Sequence, residues 1–236
     1  MSVRRLNPDQ PSGFAFSQAN LDWAYATIAK YPAGKQASAV IPLLWRAQQQ
    51  EAWLTKPAIE HVAGMLDMAY VRVLEVATFY TQFQLSPVGK VAHVQVCGTT
   101  PCQLRGSEKL LSLCRTRIAP RAHELSADGK FSWEEVECLG ACVNAPMVMI
   151  DKDTYEDLTE VSFGALIDGF ERGTPPKPGP QIARVLSAPV GGETTLKDAK
   201  LYDGSNVGTW RTAFDERERV KAEKAAAVAA AAAPKA

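Results

Sequence analysis

The chain has 236 residues, 46% of them hydrophobic and 22% charged, ordinary globular chemistry with enough length for one large or two modest domains. Its 26 basic and 26 acidic side chains cancel, so no overall positive field is present to recruit nucleic acid or an anionic membrane surface. No apolar run approaches the roughly 20 residues that cross a bilayer, and the opening M-S-V-R-R-L-N-P-D-Q-P-S-G lacks the apolar core of a secretory signal, so a soluble cytoplasmic protein is expected.

Within an expected first domain of residues 1–86, the pattern is helical from Ser17 to about residue 84. Behind a Ser17 cap, Leu21, Ala24, Tyr25 and Ile28 recur at i, i+3, i+4 and i+7, and Tyr31, Pro32 and Gly34 stop the run. A second helix places Val40, Leu43, Leu44 and Ala47 on one face, with Pro42 in its first turn. Thr55 reads as the cap of a third, whose Ile59, Val62, Ala63 and Leu66 repeat the spacing, and a fourth covers roughly residues 69–78. Four short helices with short connections bury their stripes against one another, which predicts a small N-terminal bundle with nothing catalytic in it.

Residues 87–173 change period. Ala92, Val94 and Val96 alternate with His93, Gln95 and Cys97 in a predicted strand that ends at Cys97. The loop to Cys102 opens a helix through about residue 117, with Leu110, Leu111 and Cys114 on one side. A second strand, residues 131–137, delivers Cys138. Met147 to Ile150 is an unbroken apolar run typical of a central strand, Asp151 and Asp153 turn the chain into a further strand, and Thr159 caps a helix with an inward Phe163, Leu166, Ile167 and Phe170 stripe ending at Gly173. The predicted order β-α-β-β-β-α matches a thioredoxin-like layer fold. Residues 174–236 are rich in Pro and Gly, then charged and alanine-rich, and read as an extended arm ordered on a partner followed by a frayed, solvated helical tail. The expected class is therefore α+β: a helical bundle, a thioredoxin-like α/β domain and a C-terminal arm.

Four of the five cysteines form two tight pairs, Cys97 with Cys102 in C-G-T-T-P-C and Cys138 with Cys142 in C-L-G-A-C. Structural zinc sites usually use C-x2-C knuckles, a plant-type ferredoxin needs a third cysteine two residues after the second, and a dithiol oxidoreductase needs C-x-x-C. None of these templates fits. Two pairs from two loops suit a [2Fe-2S] rhomb with two thiolates per iron, while zinc on the same four sulfurs and unligated redox thiols stay as alternatives. In a reducing cytosol such cysteines remain thiols, which favours metal ligation. Gly98 and Gly140 lie in the two loops, where the lack of a Cβ lets backbone wrap closely around sulfur, with Thr99, Thr100 and Asn144 beside them. Such a centre is expected to be buried and, with four thiolates, to have a low potential.

The remaining candidates read more plainly. Cys114 is expected in the core as a small hydrophobe. His93 is expected to be packed or at the surface, and His61 and His123 have no partner constellation. The chain has no G-x-G-x-x-G after a strand, no P-loop and no G-x-S-x-G elbow, hence no dinucleotide, phosphate or acyl-transfer site of its own. An electron carrier without a substrate site needs a partner.

With these features the chain resembles the thioredoxin-like [2Fe-2S] component of NADH:quinone oxidoreductase, respiratory complex I, known in bacteria as the E subunit. The likeness runs from about Phe16 to Gly173 and is carried by A-V-I-P-L-L (39–44), E-V-A-T-F-Y (75–80), V-C-G-T-T-P-C (96–102), E-C-L-G-A-C-V-N-A-P (137–146) and Y-E-D-L-T (155–159), with P-V-G-G-E-T-T-L (189–196) similar to a C-terminal stretch of mitochondrial and related members. The resemblance implies one [2Fe-2S] cluster on Cys97, Cys102, Cys138 and Cys142, with FMN and NADH on an adjacent flavin-binding subunit. It implies that the partner's FMN passes one electron to this cluster, that the neighbours are other peripheral-arm subunits, and that the complex holds the chain at the cytoplasmic face of the bacterial inner membrane. The likeness extends to diaphorase subunits of NAD-linked hydrogenases and formate dehydrogenases. A zinc-stabilised docking module is the reading of a different class.

Overall fold

Local chemistry sets the first four helices where the periodicity puts them. In the computed structural model, which describes residues 4–192, 194–205 and 208–231, these are α1 (Gln18–Ile28), α2 (Val40–Glu51), α3 (Lys56–Met65) and α4 (Tyr70–Phe79). Glu193 of the P-V-G-G-E-T-T-L stretch and the end of the alanine run lie outside the described residues. Ser17 and Thr55 accept hydrogen bonds from the N–H groups of Asn20 and Ala58, satisfying donors that the first turn of a helix leaves open. Val40, Leu43, Leu44 and Ala47 of α2 meet Ile59, Val62 and Ala63 of α3 and Val73 and Ala77 of α4 in one apolar cluster. The α1 stripe departs from expectation at Tyr25, which is 59% exposed, because only Ala24 and Thr27 of that helix are fully covered.

The second apolar cluster belongs to a five-stranded sheet whose strands lie in the spatial order β2 (Phe131–Val136), β1 (Ala92–Cys97), β3 (Val148–Ile150), β4 (Asp153–Glu156) and β5 (Gly179–Pro180). Strands β1 (Ala92–Cys97) and β2 (Phe131–Val136) pair in parallel, with Cys97 opposite Val136, and β3 (Val148–Ile150) lies antiparallel on the other side of β1. β3 returns through a left-handed Asp151 into β4 (Asp153–Glu156). Ala92, Val94 and Val96 face Leu110, Leu111, Cys114, Phe163 and Leu166 of the covering helices, so the period-two reading of β1 holds side chain by side chain. Thr159 and Ser162 form a reciprocal capping box at the start of α7 (Glu160–Glu171).

Two stretches differ from the sequence expectation. The single helix expected after Cys102 is two, α5 (Thr100–Leu104) and α6 (Ser107–Arg117), because Gly106 adopts a φ of 103° that interrupts the helical backbone. Likewise the stretch read as an arm from residue 174 first adds a short strand, β5 (Gly179–Pro180), in parallel to β4. A strand needs only backbone partners to join a sheet, so a sequence without apolar period still takes a place in one. The packed unit consequently runs to Leu186, and residues from Ser187 onward form a second unit. That second unit contains a short 3₁₀ turn (Ala199–Leu201) and α8 (Thr209–Ala231), whose charged residues bond to one another at i, i+3 and i+4, such as Arg219 with Glu216 and Glu223. Among the described residues, no helix is long and apolar enough to cross a membrane.

Candidate metal centre

Cys97 ends β1, where its N–H donates to the Met147 carbonyl, and Cys102 lies one turn into α5. Both are buried, against Ala145 and Met147 with Leu139 and Ala141 alongside. Cys138 follows β2 and Cys142 opens a short 3₁₀ turn (Cys142–Asn144), and both are exposed. The expectation of a wholly buried centre is therefore corrected. One pair is enclosed near the ends of β1 and β3, whereas the other is exposed on the loop after β2.

The sulfurs group in pairs. Cys138 Sγ and Cys142 Sγ are 3.5 Å apart, close to the roughly 3.8 Å that separates two thiolates on a tetrahedral ion with metal–sulfur bonds near 2.3 Å. Cys97 Sγ lies 3.3 Å from Thr99 Oγ1, and Cys102 shares its apolar enclosure. Among the described residues, no three His, Cys, Asp or Glu side chains gather as they would around one ion. Two pairs of soft donors fit a binuclear centre in number and chemistry.

The thiols are also differentiated. Burial pushes the Cys97 pKa up, but hydrogen bonds from Thr99, from the Leu139 backbone and with Cys102 outweigh it and leave the thiol below its ordinary value. Burial, followed by the hydrogen bond to Cys97, pushes Cys102 up to about 12. On the exposed loop the Gly140 N–H, then Cys142, lowers Cys138, while the bond to Cys138 and burial raise Cys142. Each pair thus holds one thiol lowered and one raised from its ordinary pKa, and metal binding requires both to give up their protons.

The two loop glycines do different work. An added Cβ at Gly98 would run into the Glu135 carboxylate, so this glycine permits a close approach. Gly140 has open space around it and a φ of 91°, so it permits the turn. Cys114 is fully buried in the sheet-helix core, as its stripe predicts.

Sequence reasoning missed a polar cluster on the opposite face of the sheet. Glu134, 5% exposed, accepts hydrogen bonds from Gln84 at 2.6 Å, Gln95 at 2.8 Å and His93 Nε2 at 3.1 Å. Ser132 Oγ lies 2.7 Å from His93 Nδ1, and His123 Nδ1 lies 3.8 Å from the second Glu134 oxygen. His93 is thus a packed side chain, as expected, and His123, assigned no partners, has one. Strand alternation places His93 and Gln95 on the non-apolar face, but nothing local ties them to Gln84.

Comparison with known proteins identifies the family. The family model described as thioredoxin-like [2Fe-2S] ferredoxin matches residues 24–171. One NADH-quinone oxidoreductase E subunit of Rhizobium meliloti (strain 1021) is 64% identical over 201 residues, covering 84% of this chain and 73% of the relative. The NADH-quinone oxidoreductase E subunit of Rickettsia bellii (strain RML369-C) is 52% identical over 158 residues, covering 66% and 94%. Among solved structures, a chain of the NAD+-reducing [NiFe]-hydrogenase in the H2-reduced state superposes with a TM-score of 0.51 at 18% identity, over 58% of this chain and 23% of that one, a likeness of fold. The chain belongs to the thioredoxin-like [2Fe-2S] ferredoxin family and, within it, to the group of the NADH-quinone oxidoreductase E subunits.

Proposed function

We propose that this chain is the electron-transfer subunit of the NADH-oxidising module of an NADH:quinone oxidoreductase, with one [2Fe-2S] cluster held by Cys97, Cys102, Cys138 and Cys142. The observation that carries the reading is the supply of four thiols from two loops, with the Cys138 and Cys142 sulfurs 3.5 Å apart. The 64% identity to the Rhizobium relative supports the choice of complex. When bound, the cluster supplies a one-electron couple. The residues around it do the rest. Ala145 and Met147 shield the buried pair from water, and the exposed pair brings the other half of the centre to the surface. There FMN on a flavin- and NADH-binding partner can exchange one electron with it.

On this reading the chain has no substrate site, has other peripheral-arm subunits around it and is held at the cytoplasmic face of the inner membrane through the complex. Residues 1–86 are then the bundle, 87–186 the cluster domain with its added strand, and the residues from Ser187 onward the second unit. A diaphorase subunit of an NAD-linked hydrogenase is the second reading, favoured by the fold likeness and disfavoured by the much higher identity to the quinone-linked relatives. Anaerobic purification decides the chemistry: two irons and two acid-labile sulfides per chain, with a binuclear paramagnetic signal after dithionite reduction, are expected. Colourless protein with stoichiometric zinc would overturn it in favour of a docking module. Co-purification with a flavoprotein and membrane subunits separates the two oxidoreductase readings.

A further inference from the structure

The segment that follows α7 crosses the second cysteine turn. β5 sets Gly179 opposite Tyr155 and Pro180 opposite Glu156, and the Gln181 N–H then donates to the Glu156 carbonyl at 2.9 Å. This register carries Arg184 to the turn that begins at Cys142. Arg184 Nη1 donates to Asn144 Oδ1 at 2.5 Å and to the Val143 carbonyl at 3.3 Å. Its Nε stands 3.4 Å from Asp157 Oδ2, an ion pair whose side chains are 12% and 7% exposed and in which neither atom has a hydrogen bond.

Asn144 is held from every other side as well. Its Nδ2 donates to Glu156 Oε2 at 2.5 Å and to the Leu186 carbonyl at 3.0 Å, and its carbonyl accepts from the Asp157 N–H at 2.7 Å. Asn144 is 1% exposed, whereas Val143 beside it is 69% exposed. Cys142 itself belongs to no strand and to only one three-residue turn.

We infer that Arg184 is a positioning residue for Cys142, acting through Val143 and Asn144, and that the strap from Gly179 to Leu186 locks the exposed half of the metal centre. The inference rests on the four-thiolate reading of that centre. A guanidinium suits the task because its planar fork reaches two acceptors and a carboxylate together, which the single ammonium of lysine does not. Groups that orient a metal ligand from behind govern how tightly the metal is kept.

The test uses the full chain with its cluster. Removal of iron by a chelator is followed by loss of the visible circular dichroism in wild type, Arg184→Gln, Arg184→Lys, Asp157→Asn and Arg117→Gln. Arg117 joins α6 to α7 through Asp168 and the Gly164 carbonyl, so its variant controls for loss of an unrelated ion pair. Arg184→Gln is expected to lose its cluster about 10- to 100-fold faster than wild type, with Asp157→Asn in the same direction and Arg184→Lys between. Far-UV spectra of the apo forms report folding independently. Unchanged loss rates in folded Arg184→Gln, or equal acceleration in Arg117→Gln, would overturn the inference. Failure of the underlying reading looks different: wild type would carry no binuclear cluster, or Cys142→Ala would keep it.

Discussion

The His93 imidazole and the Glu134 carboxylate meet at 3.1 Å on the polar side of the sheet, with side-chain exposures of 10% and 7%. The same Glu134 oxygen accepts the Gln84 amide, which arrives from the end of the bundle. A buried carboxylate in a low-dielectric setting is costly unless its donors are supplied, and here β1 and the bundle supply them together. The joint between the two apolar cores is thus electrostatic and satisfied, and it carries no apolar period by which sequence could announce it.

Stability is expected to fall with acid in two steps. Burial pushes the Glu134 pKa up, but the hydrogen bond and charge of His93 and the Gln95 amide outweigh it and hold the carboxyl below its ordinary 4.5. Burial holds His123 below its ordinary 6.5, ahead of the opposing pull of Glu134. Both folded pKa values lie under the unfolded ones, so each contribution is present above the unfolded pKa and lost as pH falls through the folded value. The first loss begins below 6.5 and the second below 4.5. Urea midpoints across this range are expected to show both, and the lower one to shrink in Glu134→Gln. An identical acid limb in that variant would refute the assignment.

Substitution of single cysteines separates ligands from packing. Alanine at Cys97, Cys102, Cys138 or Cys142 is expected to abolish the binuclear signal. Cys114 sits fully inside the core, where burial pushes its thiol up to about 12, so it is neither ionised nor reachable. Cys114→Ala is expected to keep full iron and sulfide and to lower stability by about 1 kcal/mol, through the small cavity it leaves.

Three glycines are expected to rank by the kind of obstacle a methyl group meets. At Gly89 it would come within 2.5 Å of the Ala92 and Lys130 carbonyl oxygens, which are backbone and cannot yield without shifting the sheet. Gly89→Ala is expected to cost about 1–3 kcal/mol or more. Gly140→Ala meets nothing but must hold φ at 91°, a cost of about 1–2 kcal/mol. At Gly98 the obstacle is the Glu135 side chain, whose exposed carboxylate can swing away, so Gly98→Ala is expected to cost least. Thermal melts of the apo chains measure the order, and a Gly98 variant less stable than the Gly89 variant would refute it.

The capping box of α7 offers a further check. Thr159 Oγ1 accepts from the Ser162 N–H at 3.1 Å, and Ser162 Oγ accepts from the Thr159 N–H at 2.8 Å. Thr159→Ala is expected to cost about 1 kcal/mol, measured as a lower urea midpoint with unchanged slope. A loss well beyond about 2 kcal/mol, the upper end for a lost cap, would mean that the box also holds the neighbouring β4 connection in place.

Much of this molecule is legible in its residues alone. The stripes of α2 and α3, the Ser17, Thr55 and Thr159 caps, the alternation of β1 and the pairing of the cysteines are short-range features, written within a few residues of one another. Gly106 splits the helix after Cys102 by a local backbone choice, but glycine marks such breaks too often for one instance to stand out.

By itself the sequence determined most of the helices and strands and which sulfurs travel as pairs, because propensity, capping and period act over one or two turns. Only tertiary structure decided that Cys97 and Cys102 are enclosed while Cys138 and Cys142 stand open. It alone brought Gln84 to Glu134 across 50 positions and Arg184 to Asn144 across 40. Those contacts are single polar side chains meeting over long loops, chosen by the register of β4 with β5 and by the seat of the bundle on the sheet. No local pattern encodes such a meeting, since its stability comes from partners that become neighbours only when the chain has folded.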